Sequence, residues 1–413
     1  MNKLTRRRAL KIAGASVVLS AGMHRPIHAA GKTVKIGIDL PLTGGDAETA
    51  DLMKASFMMA INDINARGGA GGYMLEAVVM DDSTATAGGY DPAQAATNAR
   101  RMINDPEVIA ALGPANSGAG KAMSPILSAA SLPIITANAT NPDITDPKLA
   151  QIYRPAGPAV FFRTVTTDAY QAPNLANYFA ETLKAKTIFI VDDSGAYGVG
   201  FADAFEKQAR AKGLQIVSRD RIDPKAADYS AIMTKIKQMN PDALFYGGNV
   251  QGGVKVVKQS YEAVPKMIKG SGDGLFEPEI LSTAGFPAAE GWYVTSAAAH
   301  LLDEPDTQKW VERFAATYHN QPNDYCILGY DAGLVIADAL DRITKSGKPL
   351  SRQAMRDAIQ ATNLQTMQGL VSFDENGDIA SHVISVFQIS HDASHPANDM
   401  VHQFKYVGVA PAT

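Results

Sequence analysis

The chain has 413 residues, with 38 Lys+Arg, 42 Asp+Glu, one cysteine and a formal net charge of −4. This length predicts two or three domains at about 150 residues each, and 46% hydrophobic with 19% charged residues excludes a disordered or collagen-like chain. The lone Cys326 excludes an internal disulfide, a thiolate zinc site and a cysteine-held iron–sulfur cluster, and the charge offers no broad basic surface for nucleic acid.

The first thirty residues have the pattern of an export signal. Residues 1–30 carry six basic residues and no acidic one, with an apolar run at Ile12–Met23 and small residues at Ala29-Ala30. A dozen apolar residues are too few to anchor in a bilayer, which takes about 20. The segment Thr5–Lys11, with three consecutive arginines, resembles the twin-arginine signal. We therefore expect a soluble exported protein, cleaved near Ala29 or Ala30, with a charge of −10 on the remaining chain.

From Lys32 onward, short β-type runs alternate with amphipathic helical stretches, which predicts βαβ units and a parallel, doubly wound sheet. The first half contains predicted strands at Val34–Leu42, Met74–Met80, Val108–Leu112 and Leu132–Ala137, with helices at Leu52–Ala66, Pro92–Ile103 and Gly118–Ala130.

The alternation restarts after about residue 165, which predicts a second lobe of the same architecture. Its predicted strands are Lys186–Val191, Leu214–Val217, Asp242–Tyr246, Lys266–Lys269 and Trp292–Thr295, and its helices are Gly200–Ala211, Tyr229–Gln238 and Gly252–Ala263. The remainder contains helices near Asp306–Tyr318, Leu328–Thr344 and Gln353–Gln360, and β-like runs at Gly369–Phe373, Val383–Gln388 and Gln403–Val409. No Ser/Pro-rich linker divides the halves, so we expect several short crossings between them.

Motifs of catalysis are missing from the sequence. It has no GxSxG nucleophile elbow, no Walker A loop and no HExxH zinc motif, and nothing indicates a nucleophile–base pair. We therefore expect a protein that is not an enzyme, with no catalytic residues, no metal site and no cofactor.

Two loops in the first half follow predicted strands, where ligands gather in open α/β sheets. Gly113–Gly118 leads into a helix, with Ser117 placed to act as its N-cap. A helix start offers free N–H groups and partial positive charge, so this loop either cradles a carboxylate or is a simple cap. The loop Ala137–Pro142 adds the hydroxyl and backbone N–H of Thr140.

In the second half, Asp273 follows a predicted apolar strand. A carboxylate in this position either pairs with a ligand ammonium or caps and solvates its loop, and the residues alone leave both alternatives open.

The chain from Lys32 onward resembles the periplasmic Leu/Ile/Val-binding proteins, the type I solute-binding components of amino-acid ABC importers. The resemblance lies in the order and spacing of short segments: Lys35-Ile36-Gly37, Leu42-Thr43-Gly44, Ala60–Asn65 with Gly68-Gly69, Gly113-Pro114 with Ser117, Phe162-Arg163-Thr164 with Asp168 and Gln171, Asp192-Asp193 with Tyr197-Gly198, Tyr246-Gly247-Gly248, and Phe373–Asp378.

The resemblance implies the type I fold, in which two α/β lobes are joined by a three-crossing hinge and close around a ligand. The N-terminal lobe would comprise residues 31–165 and 298–380, and the C-terminal lobe residues 166–297 and 381–413. The crossings would fall near Thr164–Asp168, Ser296–His300 and Ile379–Val383. The implied protein is a periplasmic monomer that delivers its ligand to membrane permease subunits.

The resemblance also implies roles for seven residues. Ser117, Thr140 and the backbone of Asn138 would hold an α-carboxylate, and Asp273 would hold the α-ammonium. Tyr197 and Tyr330 would line the cleft, as would Asn249.

The sequence departs from the family at three points. Thr49 and Asn249 stand where relatives carry aromatic residues, so the pocket is expected to be roomier or more polar than one shaped for leucine. The disulfide of some relatives cannot form with a single cysteine. The alternatives left open are a ligand sensor of the same fold and, less favoured, an exported enzyme.

Overall fold

Two large sheets organise residues 32–413, the part of the chain that this computed structural model describes. The expected export signal, residues 1–30, lies outside the described residues. The predicted fold class, α/β with two doubly wound parallel-sheet lobes, is confirmed.

The described strands are β1 (Lys32–Leu40), β2 (Tyr73–Asp81), β3 (Ser83–Thr84), β4 (Gly89–Tyr90), β5 (Val108–Leu112), β6 (Ile134–Thr136), β7 (Phe161–Arg163), β8 (Thr187–Asp192), β9 (Gln215–Arg221), β10 (Ala243–Gly247), β11 (Ile268–Ser271), β12 (Trp292–Ser296), β13 (Asn363–Thr366), β14 (Gly369–Ser372), β15 (Ser385–Ile389) and β16 (Phe404–Val409). The α-helices are α1 (Ala47–Ala66), α2 (Pro92–Asn104), α3 (Ser117–Ala129), α4 (Ala150–Tyr153), α5 (Asp168–Glu181), α6 (Ala196–Ala211), α7 (Ser230–Met239), α8 (Val250–Ala263), α9 (Gln308–Tyr318), α10 (Asp324–Lys345), α11 (Arg352–Gln360) and α12 (Met400–Gln403).

The first sheet has five parallel strands in the order β2-β1-β5-β6-β7. Helices cover both faces of this sheet. Successive residues of β5 point to opposite faces and therefore pack into different cores. Val108 packs with residues of α2 and α3, while Ile109 packs with residues of α1 and α10. A parallel sheet covered on both faces explains why β5 is buried along its whole length.

Helices α1 and α10 approach each other closely although they are distant in the chain. A Cβ added at Gly333 of α10 would lie 2.5 Å from the Cβ of Ala60 in α1. The two helices can approach this closely at Ala60 because position 333 is glycine. This contact ties a late segment of the chain into the first lobe.

The second sheet has seven strands in the order β16-β15-β12-β11-β10-β8-β9. The strands β12, β11, β10, β8 and β9 are parallel to one another. Strand β15 runs antiparallel to β12, and β16 runs antiparallel to β15. The rings of Phe205 on α6 and Phe245 on β10 stack at 3.8 Å between centroids, inside an apolar core on one side of this sheet.

Three chain segments, around residues 166, 297 and 383, are hydrogen-bonded to one another. Thr166 N donates to Ala297 O at 3.1 Å, and Ser385 N donates to Ala298 O at 3.2 Å. The Thr166 hydroxyl also contacts His382 Nδ1 at 3.2 Å. These bonds hold the three segments side by side.

One long helix was missed from the sequence. In α5, polar residues occupy buried positions (Asp168, Gln171, Asn174 and Asn177) and Pro173 lies inside the helix. A helix with a polar buried face lacks the amphipathic pattern by which helices are identified.

Within residues 32–413, no helix is both long and apolar enough to span a bilayer.

Candidate functional site

A small cavity lies where the strand ends of the two sheets face each other, with about 40 Å³ of space open to the centre of a water molecule. Both lobes contribute to its wall, which contains six of the seven predicted site residues. The lining residues are Pro41, Asp46, Thr49, Ala115, Asn116, Ser117, Asn138 and Thr140 from the first lobe, and Tyr197, Asn249, Val250, Asp273, Gly274 and Glu277 from the second.

Ser117 lies at the start of α3, directly after the loop that follows β5. It is the first helical residue and Asn116 holds the N-cap position, so the prediction that Ser117 is the N-cap was wrong. The buried Ser117 hydroxyl oxygen accepts from Asn141 N at 3.2 Å. Since a hydroxyl both donates and accepts, its hydrogen can still be donated to a ligand in the cavity.

The turn at Gly113 brings this loop back over β1. Gly113 has φ +97°, and a Cβ there would collide with the carbonyl oxygen of Asp39. Only glycine combines this backbone conformation with so close an approach. The turn therefore sets where the loop enters α3 and where Ser117 faces.

A threonine hydroxyl joins this loop to the next one. Thr136 Oγ1 donates to Pro114 O at 2.7 Å, and accepts from Asn138 N at 3.1 Å and Ala139 N at 3.0 Å. Thr140, buried at 1% exposure, follows in the same loop. The two loops thus form one hydrogen-bonded wall with Ser117, Asn138 and Thr140 on the cavity.

Asp273 faces this wall from the second lobe. It begins a 3₁₀ turn after β11, and its carboxylate accepts from the hydroxyls of Tyr197 at 2.6 Å and Tyr325 at 2.8 Å. Burial raises the pKa of Asp273, and these two hydrogen bonds act in the opposite direction by favouring its charged form. Because the Gln171 amide also donates to Oδ1, the lone pair that remains for a ligand is on Oδ2.

A second buried carboxyl lies beside Asp273. With the Gln171 amide oxygen facing Thr295, its nitrogen donates to Asp168 Oδ1 at 3.2 Å and Asp273 Oδ1 at 3.3 Å. Burial first, and then the charge of Asp273, raises the pKa of Asp168 well above its usual range. One oxygen of Asp168 makes no hydrogen bond to any described residue.

The other two predicted second-lobe residues also reach the cavity. Tyr197 lies in the first turn of α6, and its oxygen accepts from Gly274 N at 3.2 Å. Asn249 precedes α8; its backbone N donates to Asp193 Oδ2 at 2.8 Å. The Asn249 side chain makes no hydrogen bond to a described residue, so its amide can turn to a ligand.

Tyr330 does not line the cavity, contrary to the expectation from the resemblance. Its hydroxyl donates to Asp63 Oδ2 at 2.7 Å, and its ring packs against Trp310 at 5.6 Å. The aromatic residue of α10 that reaches the site is Tyr325, which also accepts from Ala297 N at 2.9 Å. Five residues turn a helix by about 140°, so Tyr325 and Tyr330 point in different directions.

Sequence reasoning missed the acidic seam, a cluster formed by Thr49 of the first lobe with Glu277 and Glu279 of the second. Thr49 N donates to Glu279 Oε1 at 3.1 Å, and the Thr49 hydroxyl contacts both glutamates. Burial raises the pKa of Glu279 to about 7. Burial and the neighbouring Glu279 charge raise the pKa of Glu277 well above its usual range.

The wall can bind opposite ends of a dipolar molecule. The first lobe presents a helix N-terminus and hydroxyls, which suit a carboxylate, while the second presents Asp273, which suits an ammonium. In the described residues, no group of three or more His, Cys, Asp or Glu side chains is arranged to hold a metal ion.

Comparison with known proteins assigns most of the chain to one family. Residues 33–394 match the family model described as "Periplasmic binding protein". The chain is 30% identical over 380 residues to the Leu/Ile/Val-binding protein BraC3 of Rhizobium johnstonii, covering 92% of this chain and 97% of the relative. It is 27% identical to the leucine-, isoleucine-, valine-, threonine- and alanine-binding protein of Pseudomonas aeruginosa, with 88% and 92% covered.

A solved structure agrees with this assignment. The crystal structure of a leucine binding protein, LivK, from Thermotoga maritima is similar with a TM-score of 0.77 at 25% identity. The similarity covers 91% of this chain and 98% of that protein.

Proposed function

The chain belongs to the periplasmic binding proteins, a family of solute-binding proteins and not of enzymes, and from that premise we propose that it captures a free amino acid, or a similar small amine, for an ABC importer. The observation that carries the proposal is a single cavity with carboxylate-binding groups on one lobe and Asp273 on the other. The relatives named above, which bind branched-chain and other small amino acids by their descriptions, support the same ligand class.

The proposed contacts follow from the chemistry of the wall. The Ser117 and Thr140 hydroxyls, with the backbone of Asn138, hold the ligand carboxylate, and Asp273 accepts from its ammonium. Tyr197 and Asn249, the other proposed binding residues, line the rest of the cavity. Charge-assisted hydrogen bonds of about 1.5–3 kcal/mol each can supply most of a micromolar affinity, about 8 kcal/mol.

Ligand binding is proposed to close the two lobes, with residues 31–165 and 298–380 in one and 166–297 and 381–413 in the other. Contacts made only when the lobes meet support this: Asn141 Nδ2 donates to Ala196 O at 2.8 Å, and Gln251 Nε2 donates to Ala87 O at 3.0 Å. A ligand that contacts both lobes binds the closed form more tightly and so shifts the population towards it.

Export and delivery complete the proposal. The basic and apolar pattern of residues 1–30 supports a twin-arginine signal cleaved near Ala29 or Ala30, and a periplasmic location for the remainder. The partners are the ligand and the permease subunits of the importer, which a monomeric carrier would meet in the periplasm.

Titration of purified protein lacking residues 1–30 with each amino acid tests the proposal. Isothermal titration calorimetry should give saturable binding, and the melting temperature should rise by about 2–5 °C at a hundredfold excess over Kd. Small-angle X-ray scattering should show a smaller radius of gyration with the ligand. If no amino acid or small amine binds, the proposed ligand class is wrong.

A further inference from the structure

The cavity wall is too acidic and too polar for an aliphatic side chain. Of its fourteen residues only Pro41, Ala115, Val250 and the ring of Tyr197 offer apolar side-chain surface, and none is lysine, arginine or histidine. Small-ligand sites are usually lined by apolar groups with a few placed polar ones. Besides Asp273, Asp46 and Glu277 contribute carboxylates to this wall.

These additional carboxylates have few donors within the described residues. Asp46, only 5% exposed, accepts from Tyr90 N at 3.2 Å through one oxygen, while its Oδ1 has no partner there. Glu277 shares the single hydroxyl hydrogen of Thr49 with Glu279. The three acids of the wall, Asp46, Asp273 and Glu277, form no salt bridge to a described Lys, Arg or His.

Buried acceptors without donors cost free energy, and buried charges without counter-charges cost more. Asp46 and Glu277 line the same cavity, so one donor group placed there can reach both carboxyl groups. An aliphatic side chain would leave both groups unsatisfied. An ammonium brings three N–H donors and a guanidinium five, together with the positive charge that the wall lacks.

We propose that the ligand carries a second cationic group, which binds Asp46 and Glu277, so that the preferred solutes are amino acids with a basic side chain. The proposal rests on the proposed function, because Asp273 and the Ser117 wall are assigned to the ammonium and carboxylate that all amino acids share. Thr49 fits this assignment, since its hydroxyl and N–H hold Glu279 beside Glu277 at the lobe seam.

Matched pairs of ligands test the second charge by calorimetry. Lysine should bind at least about tenfold more tightly than norleucine, which lacks the side-chain amine, and arginine should exceed citrulline by a similar factor. If norleucine, citrulline or leucine binds as tightly as the charged partner, the second cationic site is refuted while the amino-acid function stands. If no amino acid binds, both proposals fail.

A variant pair tests the residue assignment. Glu277→Gln should reduce the lysine-to-norleucine ratio about tenfold, because the amide keeps the shape but cannot ionise opposite a bound cation. Glu48→Gln is the matched control: Glu48 is exposed at the same seam, where it accepts from Ser282 at 2.9 Å, and it does not line the cavity. Its ratio should stay unchanged.

Asp46→Asn provides the second test if Glu277→Gln does not fold, and the same fall in the ratio is expected. The melting temperature of each variant without ligand shows that it is folded. An unchanged ratio in a folded Glu277→Gln or Asp46→Asn variant overturns the assignment.

Discussion

Replacing Asp273 by asparagine removes one charge from the cavity and keeps the shape of the side chain. Asp273 is 6% exposed, so water cannot easily take the place of its carboxylate in binding an ammonium. A charge-assisted hydrogen bond in such a position contributes about 1.5–3 kcal/mol, which corresponds to roughly 10- to 150-fold in Kd. We expect the Kd of Asp273→Asn for its amino acid to rise by that factor.

The same substitution should not destabilise the protein without ligand. Burial raises the pKa of Asp273, which means that folding disfavours its charged form. The amide oxygen can still accept from Tyr325 or Tyr197, and the repulsion with Asp168 disappears. The melting temperature of the variant should therefore equal or exceed that of the wild type.

Calorimetry near neutral pH measures the affinity, and thermal unfolding without ligand measures the stability. Asp306→Asn is the matched control, because Asp306 is exposed and makes no hydrogen bond to a described residue. An affinity within twofold of wild type would refute the ammonium role of Asp273. A fall in melting temperature that accompanies the loss of binding would mean that the residue acts through the fold.

Three further outcomes are expected. Ser117→Ala should weaken binding of the ligand carboxylate by about 1–2 kcal/mol by calorimetry, and a loss of stability with unchanged affinity would make Ser117 purely structural. Arg163→Met should lower the free energy of unfolding in urea by about 3 kcal/mol, because the fully buried guanidinium bonds Asp378 and two carbonyl oxygens; a change under 1 kcal/mol would contradict this. The Glu279 carboxyl, with its pKa raised to about 7, keeps a proton that the unfolded chain has released, so it contributes stability that is lost as the pH rises from about 5 to 8. Melting temperatures across that range should fall less steeply for Glu279→Gln, and parallel curves would refute the assignment.

The strands and most helices follow from the sequence because apolar periodicity is a local property. β5 was predicted at its observed bounds, Val108–Leu112, since both faces of a central parallel strand are buried. The elements that were missed, such as β7 and α5, place polar groups inward, including the buried Arg163 and Asp168. Their burial depends on partners far away in the chain, which no local pattern contains.

The site was predictable to the extent that ligand groups follow strand ends. Ser117, Thr140 and Asp273 each lie in the segment that follows a strand, so chain order was sufficient to nominate them. The acidic seam was not predictable in this way, because Thr49 and Glu279 are 230 residues apart and meet only across the lobes. The tyrosine of α10 that contacts Asp273 is Tyr325 and not Tyr330. Which of the two faces Asp273 depends on the rotation of α10 about its axis, and the resemblance did not fix that rotation.

The contact between α1 and α10 has a consequence for biosynthesis. All five strands of the first sheet leave the ribosome by residue 163, but α10, which covers one face, follows only at residues 324–345. At 5–20 residues translated per second, the face of the first sheet that α10 covers stays exposed for on the order of ten seconds or more. During this time the nascent chain is exposed to aggregation and to chaperone capture, so slowing translation between these segments should reduce the yield of native protein.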